Sequence, residues 1–204
     1  MKYEWKKTEK NIYGVKQIPE IADIPAQNFI MIKGSGNPNM EDFSNRVSVL
    51  YSLAYSIKML FKKTIKDEDS EKITDFTVYP LEGIWEEWEG EKADKSKLRY
   101  TIMIKQPDFI TRDIFEKALE EVKKKKPNNL YDEIVFEVLK EGRVIQVLHI
   151  GSYDDEPESF KKIEKLASKM GLSRIGNSHK EIYLSNKNRT AKDKQKTVLR
   201  YSVR

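Results

Sequence analysis

Hydrophobic positions change period several times along the chain, and each change marks an element. Between residues 41 and 63, Phe43, Val47, Leu50, Ala54, Ile57 and Phe61 recur at steps of three and four, which predicts one face of a long helix. Tyr51, Tyr55 and Lys58 lie beside that stripe. Phe115, Ala118, Leu119 and Val122 predict a second helix over 112–125, ended by Pro127. Phe160, Ile163, Leu166, Ala167 and Met170 predict a third over 156–170, capped by Gly171.

Between these helices the pattern alternates as strands do. Strands are expected at 27–33, 98–105, 133–139, 144–150, 181–184 and 197–203. An irregular strand is expected at 76–85, where Pro80 and Gly83 mark a bulge or a sheet edge. Breaks fall at Gly34–Pro38, in a charged turn over 67–72, in polar loops over 86–96 and 187–196, and at Glu141–Gly142, read as the turn between two strands. Residues 1–26 form an arm punctuated by Pro19 and Pro25.

The order is β-α-β-β twice, over about 27–106 and 143–204, joined by a helix and strand over about 111–140. FIMIKGSG leads to a helix whose first apolar residue is Phe43, and QVLHIGSY to one whose first is Phe160. This reads as an internal duplication. The expected class is α+β, with two βαββ repeats related by a pseudo-twofold axis around a central ligand cleft.

Composition narrows the function. Charged residues make up 35% of the chain, and ten Tyr, eight Phe and three Trp supply rings for a core and a pocket. The net charge of +5 comes from 38 bases interspersed with 33 acids. The one dense run, Lys123–Lys126, sits where it complements a helix C-terminus, so nucleic acid is not an expected partner. Cysteine is absent, which excludes disulfides, thiolate metal sites and a cysteine nucleophile. The start MKYEWKKTEK has no apolar signal core, and apolar runs such as Phe29–Ile32 are far shorter than the ~20 residues of a membrane span. A cytoplasmic protein with no membrane partner is expected, as a monomer or homodimer. No dinucleotide, phosphate-loop or nucleophile-elbow motif occurs, and Gly34-Ser35-Gly36 is too short for a phosphate loop.

Five stretches, Leu50–Lys58, Tyr79–Trp85, Gln146–Glu156, His179–Ser185 and Lys196–Arg200, resemble the GyrI-like small-molecule-binding family in order and spacing. The resemblance spans nearly all the chain beyond the arm. With no helix-turn-helix segment ahead of the domain, it is to the stand-alone branch. It implies tandem βαββ (SHS2-like) repeats and an aromatic cleft with a buried acid. Among such relatives are effector domains of multidrug-sensing regulators, proteins that protect DNA gyrase, and hydrolases that open the cyclopropane of DNA-alkylating natural products. One departure is Glu86 after Trp85, where a second aromatic is expected; Trp88 is the candidate replacement.

The same resemblance selects Glu181 as the cleft acid, suited to hold a cation or to direct a water as general base; residue type alone reads it as a surface carboxylate. Trp85 is a candidate to stack on a planar ligand, and Tyr153 to donate a hydrogen bond to the ligand or a developing anion, which makes it the second catalytic candidate. Tyr51, Tyr55 and Tyr183 are expected as cleft walls. Glu82 faces either cleft or solvent. His149 is carried as a ligand-side residue, although a lone strand histidine is more often structural. Asp154, Asp155 and Glu156 read as the cap and first turn of the last helix. No metal site and no cofactor are expected. The expected function is binding of small planar aromatic, cationic or electrophilic xenobiotics. The alternatives are a cyclopropane-ring hydrolase or a module that shields DNA gyrase.

Overall fold

A computed structural model describes residues 1–65, 73–86 and 97–204. The charged turn at 67–72, nearly all of the 86–96 loop and Trp88 lie outside the described residues. The elements are β1 (Lys2–Tyr3), α1 (Trp5–Thr8), α2 (Lys10–Tyr13), β2 (Glu20–Ser35), α3 (Glu41–Thr64), β3 (Asp75–Phe76), β4 (Leu81–Glu86), β5 (Arg99–Gln106), α4 (Arg112–Lys125), β6 (Val135–Ile150), α5 (Glu156–Lys169), β7 (Ser178–Tyr183) and β8 (Lys196–Ser202). Six strands close into a barrel in the order β2-β5-β4-β7-β8-β6, and β1 pairs with β3 apart from it. The protein is thus a mixed helix-and-strand fold with its sheet wrapped into a barrel.

The three long helices fall where the spacing predicts them. Thr111 caps α4 by accepting from the Ile114 N–H, and Gly171, at φ +64°, follows the end of α5. The strands depart from expectation in four places. β2 begins at Glu20, not 27, so Pro25 and the end of the expected arm lie inside it. β6 is one strand of 16 residues, so Glu141–Gly142 is not a turn. The two departures have one cause. Ile24 pairs with Gly142 and Ala26 with Lys140, which sets Pro25, with no N–H to donate, opposite Glu141. Gly142 adopts φ +67° there, and the ladder bends without stopping. Third, β4 is neither an edge nor bulged at Gly83. It is paired on both sides, to β5 and β7. Fourth, β7 starts at Ser178, which places Glu181 within the strand rather than at its start.

Successive strand residues point to opposite faces, and the barrel wall uses the two faces differently. Outside, Ile145, Val147, Leu199 and Tyr201 pack against Ile163 and Ala167 of α5. Leu50, Leu53 and Ile57 of α3 join Ile30, Ile32, Ile102 and Ile104 in the main core, with Phe115, Ala118 and Val122 of α4.

The inner face sets a buried polar network among apolar side chains such as Phe29, Ile182 and Val198, and the N-terminal arm joins that network. Lys180 there is 2.7 Å from Glu82, 2.9 Å from Glu141 and 4.5 Å above the Phe29 ring. Fully buried Arg200 donates to Glu141, Gln146 and the carbonyl of Ile12. Tyr13 donates to Glu82, and Lys105 and Tyr79 to Glu9. Burial pushes the Glu141 carboxyl up, but Lys180 and Arg200 outweigh it and hold its pKa below the usual value. Glu82 therefore faces neither cleft nor solvent, and the arm packs on the face away from Glu181.

Candidate functional site

The outer face at the β4–β7 seam brings together the sequence candidates that cluster. Gly83 pairs with Glu181 and Trp85 with His179, so all four share this face with Tyr183, two residues beyond Glu181. α3 flanks the seam through Phe43, stacked on Trp85 at 5.9 Å. α5 flanks it through Phe160, edge-on to His179 at 4.9 Å.

Glu181 is 9% exposed. His179 Nε2 lies 2.9 Å from its Oε1, so the ring carries its proton on Nε2 to make the bond. Tyr183 accepts from the Trp85 indole N–H at 2.9 Å and stands within the field of the same carboxylate. The Trp85 N–H therefore orients the Tyr183 phenol beside the carboxylate, and His179 holds Glu181 directly. Burial first, then the charge of Glu181, raises the Tyr183 phenol well above its ordinary value. Burial first, then Glu181 and Glu156, pushes Tyr153 up to about 12. Both phenols are donors at neutral pH, not bases. The Tyr153 ring meets Tyr183 edge-on at 6.1 Å.

Gly83 is required by this arrangement. A Cβ there would stand 2.9 Å from Trp85 Nε1 and 3.4 Å from Tyr183 Oη, inside the contact that orients the phenol. Gly83→Ala is expected to cost about 1–3 kcal/mol by overpacking and to weaken ligand binding, as checked by thermal denaturation and by titration of the variant.

Other candidates lie elsewhere or play other parts. Trp85 is 7% exposed, covered by Phe43 and Tyr100, so it positions Tyr183 and does not offer an open face. His149 is not aimed at a ligand. Its Nε2–H donates to the Ser152 carbonyl and its Nδ1 accepts from Ser159 Oγ, both at 2.9 Å. It ties the β6–α5 turn down. Tyr55, 55% exposed, lines a groove of about 540 Å³ between α3 and α4 with Met59 and Lys63. Tyr51 lines the same groove, its hydroxyl accepting from the Leu81 N–H. Sequence reasoning missed His179, Glu156, Phe43 and Phe160. The i, i+2 spacing of His179 and Glu181 on a strand was the available signal for the first. Among the described residues, no group of three or more His, Asp or Glu side chains could hold a metal ion, and no helix is long and apolar enough to cross a membrane.

Residues 18–202 match the GyrI-like small molecule binding domain family. A hydrolase from Listeria innocua is 32% identical, with a TM-score of 0.89 and full coverage of both chains. An uncharacterized conserved protein from the same organism is 34% identical, with a TM-score of 0.88 over 99% of this chain and 100% of that one. The EcmrR C-terminal domain shares the fold at 12% identity, with a TM-score of 0.54 over 91% of this chain and 96% of that one. No curated protein matches the sequence.

Proposed function

We infer that this chain, which belongs to the GyrI-like small-molecule-binding family, takes a planar aromatic ligand with a cationic or electrophilic centre at the β4–β7 seam, against Glu181. The observation that carries this reading is the buried Glu181 carboxylate, held by His179 and set beside the hydrogen-bonded Trp85–Tyr183 pair. A buried carboxylate walled by rings attracts a flat cation through both charge and area. The two β-α-β-β segments are read as one duplicated unit, with the seam near its pseudo-twofold axis. Tyr153, only part-buried on the 3₁₀ turn Tyr153–Asp155, is the side chain that moves to admit the ligand.

A second reading is hydrolysis, favoured by the full-length likeness to the Listeria hydrolase. Glu181 then takes a proton from water, the water oxygen bonds to a strained ring carbon, and the broken C–C pair moves to a conjugated oxygen that Tyr153 stabilises. A thermal-shift screen of wild type and Glu181→Gln, with product analysis, separates the readings. Planar cations are expected to stabilise the wild type and to lose that effect in the variant. A hydrated product from a cyclopropane-bearing electrophile, absent with Glu181→Gln, marks the hydrolase. Full turnover by the variant removes Glu181 as the base.

A further inference from the structure

Glu156 opens α5, where an acid is ordinarily explained by the partial positive charge of the helix N-terminus. That account predicts a solvated carboxylate. Glu156 is instead 8% exposed, and its Oε1 is buried with no hydrogen-bond partner among the described residues. It also faces the seam. Tyr153, three residues earlier, meets Tyr183 edge-on, and both phenols lie within the fields of Glu156 and Glu181. The strongest charges acting on Glu156 are two more acids, Glu181 on β7 and Asp154 on the turn. Tyr153 and Tyr183, the other titratable groups facing it, are neutral at physiological pH, and His179 stands beyond Glu181.

We propose that Glu156 is a second working acid of this cleft, whose carboxyl O–H hydrogen-bonds an acceptor oxygen, a conjugated carbonyl in particular, on the planar ligand that meets Glu181. This rests on the ligand reading of the seam and adds the group the ligand must carry. A carboxyl buried without a partner among the described residues, under the field of a second carboxylate, resists ionising. Burial first, then Glu181, lifts Glu156 to about 9, so it keeps its proton at neutral pH and supplies a donor. In hydrolysis, the water proton goes to Glu181 and the Glu156 proton to the oxygen that receives the broken C–C pair. One water is added, and the pair resets when the proton on Glu181 returns to Glu156 through solvent.

The test uses the full chain with 9-fluorenone and fluorene, two flat frames that differ in one carbonyl. Wild type is expected to prefer fluorenone about tenfold, the size of one hydrogen bond to a buried donor, and to lose the preference above about pH 9. Glu156→Gln, whose amide still donates, keeps the preference. Glu156→Met loses it but still binds fluorene. An unchanged preference in Glu156→Met overturns the proposal. If the wild type binds both compounds equally, the Glu156 assignment alone fails. If it binds neither, the donor role fails, while the ligand reading stands or falls on the planar cations. Infrared spectra of the unliganded protein give an independent readout. A protonated-carboxyl band at pH 7 that vanishes in Glu156→Gln is expected, and its absence overturns the assignment whatever the ligands do.

Discussion

Lys180→Met is expected to destabilise the protein by about 3–5 kcal/mol, the usual cost of breaking a buried ion pair from one side. Lys180 is 3% exposed and holds Glu82 at 2.7 Å and Glu141 at 2.9 Å. Without it, Glu141 keeps Arg200, but among the described residues Glu82, 1% exposed, keeps only the Tyr13 hydroxyl. A carboxylate left in that interior must ionise unpaired or take up a proton. For a chain of this size the melting temperature should fall by roughly 6–20 °C. Glu82→Gln in the same background removes the stranded charge and should recover part of the loss, a coupling a double-mutant cycle measures. A Lys180→Met protein as stable as wild type would show that the inner network contributes no stability.

Glu156→Gln is expected to act in the other direction. The Glu156 carboxyl is raised from its ordinary 4.5 to about 9, first by burial and then by Glu181. Below about pH 4.5 both folded and unfolded chains hold its proton. Between 4.5 and about 9 the unfolded chain releases the proton and the folded one retains it, so stability falls as pH rises, and above about 9 this slope ends. At about 1.4 kcal/mol per pH unit, the handicap at pH 7 is on the order of 3 kcal/mol. Glu156→Gln removes it, so the variant should melt several degrees higher at pH 7 and nearly level with wild type near pH 4.5. Parallel pH profiles for the two proteins would mean that Glu156 is ionised like a surface acid. A destabilising acid kept in a cleft fits the common trade of stability for function.

Both residues show where sequence reading stops. The helices were legible because their apolar faces repeat at three and four over long stretches, as in Phe43 to Phe61. The course of β6 was not, because Glu141-Gly142 carries the local signature of a turn. Only its long-range pairing with β2 shows that the strand runs through. Nothing local to Lys180, Glu82 or Arg200 reports that they are buried. The site was half legible. Glu181 and Tyr183 could be placed on one strand face by their i, i+2 spacing, whereas Glu156 was hidden by the commoner role of acids at helix starts. Tyr55 was misplaced because position beside the α3 stripe does not say whether α4 or the β4–β7 seam lies next to it.

The most direct test of the ligand site is a calorimetric titration of a planar aromatic cation, ethidium, into wild type, Glu181→Gln and Tyr55→Ala. Binding that weakens about tenfold or more in Glu181→Gln and is unchanged in Tyr55→Ala is the predicted result, because removing the buried carboxylate removes the partner of the charge. Equal affinity in wild type and Glu181→Gln, or loss in Tyr55→Ala alone, would contradict it and move the site to the groove between α3 and α4.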